Sequence, residues 1–171
     1  MELKDTQNTF IRHWGEMGSR WGINRAIGEV HGFLLAAGLP CNAQTISETL
    51  LLSRSNVSTS LKELQSWELI KLVHLPGDRR EYFEADRDPW SVFSKIAKRR
   101  MEREILPTIT LLSELQQVSN PSDRRFETLI KEFKEFLEAG VGFYRRIYSL
   151  PVAVTKRLLK FESKIEKLLR G

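Results

Sequence analysis

The sequence predicts a mainly α-helical fold with one small β-hairpin, and three observations predict it. Apolar residues recur at helical spacing in two short runs, Ile46, Leu50 and Leu51, then Val57, Leu61 and Leu64, with a break at Ser53 between them. Next, residues 71–74 and 81–84 have strand-like composition and flank Pro76-Gly77-Asp78, which is turn chemistry. After residue 121 the apolar positions return every third or fourth residue over many turns, as in long amphipathic helices. Two short half-buried helices followed by a hairpin describe a winged helix-turn-helix, here extended by a C-terminal helical arm. The organising stretch is Thr45 to Glu84.

In chain order, residues 5–18 form a first helix with Phe10, Ile11, Trp14 and Met17 as its stripe, followed by a glycine-punctuated join from Gly18 to Gly22. A second helix runs from about Asn24 to Ala37, with Ile27, Val30, His31, Leu34 and Leu35 near one face and Gly38-Leu39-Pro40 as its stop signal. Gly28 and Gly32 lie inside it, and a mid-helix glycine costs about 1 kcal/mol relative to alanine. Close approach of another backbone explains both. Asn42 is placed to cap the first helix of the organising stretch, and Ser53 is both the turn residue and the N-cap of the second, which starts at about Arg54.

With Val57, Leu61 and Leu64 turned inward, the opposite face of that second helix carries Arg54, Ser55, Asn56, Ser58, Thr59 and Lys62. A solvated helix fills its outside with long Lys and Glu, which have better helix propensity than Ser, Asn and Thr. In the major groove of DNA, by contrast, Asn reads adenine, Arg reads guanine, and Ser or Thr reads either partner. An ordinary serine-rich surface helix is the plainer alternative. The wing argues for the groove: it puts Arg79 and Arg80 at the hairpin tip, where guanidinium groups sit on phosphates or enter the adjacent minor groove.

Beyond the hairpin, Asp88-Pro89 is a start signal, Asp as cap and Pro at the first helical position. The following helix has Trp90, Phe93, Ile96, Ala97, Met101 and Ile105 as its buried face, and Lys95, Lys98, Arg99, Arg100 and Arg103 outside. Pro107 should end or kink it near Leu106. Residues 119–123, Ser-Asn-Pro-Ser-Asp, are the clearest linker, which divides the chain into a winged-helix domain with flanking helices, 1–120, and a helical dimerisation region, 121–171. Phe126, Leu129, Ile130, Phe133, Leu137, Val141, Tyr144 and Tyr148 mark a long amphipathic helix. Val154, Leu158, Phe161, Ile165 and Leu168 follow with alternating spacings of four and three, an a/d seam. Two such helices fit either a partner subunit or the chain's own residues 5–37, and dimerisation is the more economical use.

Composition narrows the function. At 171 residues and 41% apolar content the chain can bury a core. The net charge of +5 favours a polyanionic partner, yet residues 45–84 hold five basic and six acidic side chains. A generic electrostatic coat for DNA is therefore excluded, and binding must rest on charges gathered on one face. One cysteine excludes an intrachain disulfide framework; no apolar run reaches the roughly 18 residues of a membrane span, and the N-terminus has no secretory pattern, so a cytoplasmic protein is expected. No glycine-rich phosphate loop, paired-cysteine motif or supported nucleophile motif is present, so neither an enzyme nor a cofactor is expected. His13, His31 and His74 are scattered, which predicts no metal site, and Cys41, in a loop without a basic neighbour, reads as an inert thiol.

The run SETLLLSRSNVSTSLKELQSWELI, the wing PGDRREYF and the flanking segments RWGINRAIGEVHGFLLAAG and DPWSVFSKIAKRRMEREILP together resemble GbsR/MarR-type winged-helix transcriptional regulators over roughly residues 5–120. The resemblance implies a homodimer that binds double-stranded DNA at an operator, often under a small-molecule effector. Some relatives sense quaternary ammonium compounds, which an aromatic cage holds by cation–π attraction. Trp14, Trp21, Trp90 and Phe93 are the candidate cage walls, with core packing as the alternative. A second class of function is a protein-interaction module, a winged helix that has lost DNA binding; the outer face of the second helix lacks the aromatic anchors such a surface uses.

Overall fold

The computed structural model describes residues 3–20, 22–118, 124–150, 154 and 157, and its contacts divide the chain into two compact units, 1–96 and 97–171.

In the first unit, α1 (Asp5–Arg20) and α2 (Arg25–Ala37) pack against each other through small residues. A Cβ built on Gly28 would lie 2.9 Å from the Gly15 Cα and 3.0 Å from the Trp14 carbonyl oxygen, so the close backbone approach expected from the mid-helix glycines is present. The contact face of α1 is accordingly Ile11, Gly15 and Gly18, while Phe10 stays partly exposed. α2 is capped by Asn24, whose side chain accepts from the Ala26 N–H at 2.8 Å, and ends at Gly38 in the left-handed conformation. Its Val30, Phe33 and Leu34 are fully buried.

Cys41 and Asn42 form a short strand, β1, where the sequence pointed to a loop. Two residues are too few to show a period. β1, β2 (Ile70–Val73) and β3 (Tyr82–Ala85) make an antiparallel sheet in the order β1-β3-β2, with Leu72 opposite Phe83 and Cys41 on its other side. The hairpin thus sits one residue away from its expected boundaries. α3 (Ala43–Leu50) is capped by Asn42, and α4 (Arg54–Ser66) by Ser53. Ile46, Val57, Leu61, Leu64 and Leu69 close the core between α2 and the sheet.

Leu51 departs from the expected inward stripe. α3 ends there with Leu51 at φ +55°, its N–H on the Ser47 carbonyl, which swings the side chain out to 91% exposure. Leu52 packs against the core instead. The turn is therefore made by Leu51, and Ser53 supplies the cap alone.

α5 (Pro89–Arg100) begins as expected, with the Asp88 carboxylate accepting from the Ser91 N–H at 2.9 Å. Its fully buried residues are Val92 and Ile96; Ile96 is as expected, whereas Phe93, also expected inside, is 44% exposed. Pro107 does not stop the helix. A π-helical turn over Met101–Ile105, with the Leu106 N–H on the Met101 carbonyl, precedes it, and α6 (Leu106–Val118) continues. Widening the turn accommodates a residue that has no N–H to give the carbonyl four positions back. In the second unit α6 packs on α7 (Arg124–Ser149), where Ile130 and Val141 are buried and Lys134 donates to Gln116 at 3.2 Å. The linker at 119–123 and the seam residues Leu158, Phe161, Ile165 and Leu168 lie outside the described residues; Val154 is helical and partly exposed.

Candidate nucleic-acid interface

α4 is fixed from within. Val57, Ser60, Leu61 and Leu64 are buried against the core, and the Ser53 Oγ accepts from the Asn56 N–H at 3.2 Å. That leaves Arg54, Ser55, Asn56, Ser58, Thr59 and Lys62 all exposed on the outer side, as the sequence spacing required. Ser55 is not wholly available, because its hydroxyl shares a 3.0 Å hydrogen bond with Ser53. The first turn of α4, Arg54 to Asn56, is the end at which the helix dipole favours an anion such as a phosphate.

The wing turn is Leu75-Pro76-Gly77-Asp78, with the Asp78 N–H on the Leu75 carbonyl at 3.2 Å and Gly77 at φ +80°. Arg79 and Arg80 follow the turn and are not equivalent. Arg79 is exposed and has no ion-pair partner among the described residues. Arg80 is held by Asp78: its Nε donates at 2.9 Å, its Nη2 donates to the same carboxylate, and its backbone N–H donates at 2.9 Å. Tyr82 donates its hydroxyl to Asp78 at 2.7 Å, and the Arg80 guanidinium lies over the Tyr82 ring, 5.6 Å from its centroid. Hydrogen bonds from Arg80, then Tyr82, hold the Asp78 carboxyl well below the usual carboxylate range.

Between α4 and the root of the wing lies an open cleft of about 550 Å³ that brings Gln44, Ser58, Lys62, Gln65, Arg80 and Glu81 together. Sequence spacing found Ser58, Lys62 and Arg80. It missed Gln44 and Gln65, which come from the start of α3 and the end of α4, and it missed Asp78. For Asp78 a signal existed, since an Asp two residues before a residue with a free N–H is the spacing of an Asx-turn.

The root of the wing is clasped to α5. Lys95 donates to Asp86 at 2.6 Å and to the Glu68 carbonyl at 2.8 Å, and Ser91 also bonds Asp86. Glu68, at φ +58°, ends the turn that follows α4, so one lysine ties the end of α4 and the strand exit to the helix leading out of the unit.

Of the four aromatic residues, Trp21 lies outside the described residues. Trp14 stacks on Phe10 with centroids 5.3 Å apart, meets Phe93 edge-on at 6.3 Å, and donates its indole N–H to His31 Nδ1 at 3.1 Å. Trp90 is half-buried on the first turn of α5. The adjoining cavity, lined by Trp14, Ile27, His31, Trp67 and Ile96, has a volume of about 20 Å³, which is room for one water. Cys41 is buried, and burial pushes its thiol pKa up. No three metal-ligating side chains cluster among the described residues, and no helix there is long and apolar enough to cross a membrane.

Comparison with known proteins places this geometry. The model of the MarR family matches residues 32–81, from the middle of α2 through the wing turn. The HTH-type transcriptional repressor GbsR of Bacillus subtilis (strain 168) is 27% identical over 166 residues, which span 93% of this chain and 92% of that protein. The putative HTH-type transcriptional regulator YvaV of the same organism is 19% identical over 150 residues, 80% of this chain and 82% of that one. A crystal structure of a transcriptional regulator superposes with a TM-score of 0.55 at 20% identity, over 82% of this chain and 99% of the other, a likeness of fold.

Proposed function

We propose, from the premise that this chain is a winged helix-turn-helix transcriptional regulator of the GbsR/MarR type, that it acts in the cytoplasm as a homodimer on a near-palindromic operator in double-stranded DNA. α4 enters the major groove, with Asn56, Ser58, Thr59 and Arg54 on base edges and Ser55 and Lys62 on the flanking backbone. Arg79, and Arg80 beside it, grip phosphate or the neighbouring minor groove. Two-fold symmetry sets the half-sites about one helical turn, 34 to 36 Å, apart. Residues 121–171 supply the dimer contact. The observation that carries this reading is the exposed, acid-free row from Arg54 to Lys62 on a helix whose other face is fully buried. Likeness to a named repressor supports repression as the sign of control. An effector acts by favouring one separation of the two recognition helices, since a ligand bound equally by both states shifts nothing.

The test is fluorescence anisotropy on DNA from upstream of the protein's own gene, against scrambled DNA, at two salt concentrations. A preference for the upstream DNA that survives higher salt supports sequence reading. Equal, salt-sensitive binding to both calls for selection from random DNA, and no binding to either favours the interaction module.

A further inference from the structure

Arg79 meets a phosphate only if the wing that carries it is aimed, and hydrogen bonds fasten that wing along one edge and at its root. On one edge β3 pairs with β1 through two residues, Cys41 opposite Phe83 and Asn42 opposite Tyr82. β2 is the other edge, and no strand covers it among the described residues. At the root the Asp86 N–H donates to the Leu69 carbonyl at 3.0 Å, one rung before the chain enters the turn that follows α4. Lys95 grips both sides of that rung, its Nζ donating to the Glu68 carbonyl at 2.8 Å and to the Asp86 carboxylate at 2.6 Å. The turn is itself tied to α4, with the Glu68 N–H on the Gln65 carbonyl at 2.9 Å and the Leu69 N–H on the Leu64 carbonyl at 3.0 Å. A bond to the Glu68 carbonyl is therefore a bond to the end of the recognition helix. Asp86 is oriented from its other side by the Ser91 hydroxyl and by the Asp88 N–H at 3.1 Å. Burial would raise its pKa, but these bonds and the Lys95 ammonium outweigh it and hold the carboxyl below the usual range. Lys71 and Glu84, 3.0 Å apart one rung further out, join strand to strand and not the hairpin to a helix.

We propose that Lys95 is a positioning residue for DNA binding: it sets the angle between the wing and α4, so that Arg79 meets the backbone while Asn56 meets its base. This role rests on the operator-binding reading above and adds to it the residue that makes the two contacts simultaneous. Leverage is the reason one side chain matters. A strand rises about 3.3 Å per residue, so the far end of β2 lies about 10 Å from the root, and a swing of ~10° moves it by roughly 2 Å, enough to break a hydrogen bond to phosphate. The Lys95 and Asp86 side chains are 27% and 26% exposed, so solvent screens this pair less than it screens an open surface pair. Without Lys95 the wing has to be ordered at each encounter, and the contact it makes is worth less. α4, fixed by its own buried face, reads bases as before.

Double-mutant cycles test it. Lys95→Met keeps the length of the stem and removes the charge and both bonds, whereas Lys95→Arg keeps charge and donors. Arg79→Ala and Asn56→Ala are each made in the wild type and in these two backgrounds. Anisotropy is read below every melting range, on a duplex from upstream of the protein's own gene or selected from random DNA, with scrambled duplex as reference. In Lys95→Met the affinity cost of Arg79→Ala shrinks by roughly threefold or more, beyond the about twofold scatter of independent sites, and its effect on the salt slope shrinks with it. The cost of Asn56→Ala stays the same. Lys95→Arg restores the cost of Arg79→Ala. If Lys95→Met does not stay folded at the assay temperature, Lys95→Gln, which keeps a donor without the charge, takes its place with the same expectations. A lysine that merely stabilises the fold would lower the melting temperature and leave both costs as they are; that result overturns the proposal, as does an equal fall in both costs or an Arg79→Ala that costs nothing in the wild type. In each of these cases a wild type that still prefers its operator keeps the regulator reading and loses this role alone. A wild type that prefers no DNA overturns both.

Discussion

The Trp14 indole N–H donates to His31 Nδ1 at 3.1 Å, joining α1 to α2 inside the core. To accept there, the imidazole must be neutral with its proton on Nε2, an atom that is buried with no partner among the described residues. Protonating Nδ1 would both charge a 2% exposed side chain and evict the tryptophan N–H. Burial accordingly lowers the His31 pKa from 6.5 to about 4, against the opposing charge of Asp86.

The pH dependence follows from that depression. Above pH 6.5 the histidine is neutral folded and unfolded and contributes no slope. Between 6.5 and about 4 the unfolded chain takes up the proton first, so stability falls with falling pH; below about 4 the slope vanishes. The full loss is on the order of 3 kcal/mol. Thermal melts of the wild type and His31→Gln, which keeps an acceptor for Trp14, should diverge across this window, the variant having the flatter profile. Parallel profiles would show that another group carries the acid sensitivity.

Gly28→Ala tests the α1–α2 contact. The added methyl would meet backbone atoms of Trp14 and Gly15 at 3.0 and 2.9 Å, which cannot rotate away. Overpacking of this kind costs about 1 to 3 kcal/mol. Gly140→Ala, where space is open in the single chain, is the comparison, and its melting temperature below the dimerisation range should not fall.

Leu51→Gly should be neutral or stabilising, by about 0.5 kcal/mol, because the left-handed conformation strains a leucine and not a glycine. Ser53→Ala, two residues on, should cost about 1 kcal/mol through the lost cap. Chemical denaturation of the two variants checks both signs together.

These residues also show how far the sequence could be read. Spacing alone located α4, its cap and both of its faces, because Val57, Leu61 and Leu64 impose a period that only one helix register satisfies. The mid-helix glycines announced a backbone contact for the same kind of reason. Leu51 misled because its apolar character suits the stripe, while the decision to leave the helix there is made by the backbone. β1 was invisible because two residues carry no pattern, and their pairing is with a strand some forty positions later. In the candidate site, Arg79 and Arg80 look identical in sequence; only the fold shows that Asp78 and Tyr82 hold one of them. In α7 the exposed Leu129 and Phe133 share one amphipathic pattern with the buried Ile130 and Val141, and only the packing of α6 separates them.

The inequality of the two wing arginines yields the sharpest prediction for DNA binding. Arg79 can give its full charge to a phosphate, so Arg79→Ala should weaken all sequences alike and lower the salt slope by about 1. Arg80 brings with it a carboxylate that stays ionised at neutral pH, since its pKa is depressed. Removing the guanidinium therefore leaves an uncompensated negative charge near the backbone, and Arg80→Ala should lose more affinity than Arg79→Ala. Asp78→Asn keeps an acceptor for Tyr82 but frees the Arg80 charge; it should tighten binding to scrambled DNA and steepen the salt slope, eroding discrimination. Asn56→Ala should erode discrimination by a different route: affinity for scrambled DNA stays the same, while preference for the operator falls by roughly 5- to 100-fold, the worth of one good base contact. Anisotropy titrations of the four variants on operator and scrambled DNA at two salt concentrations separate these outcomes. If Asn56→Ala left discrimination intact, the base-reading face of α4 would have to be sought elsewhere. If Asp78→Asn left the salt slope unchanged, the wing would not touch the backbone.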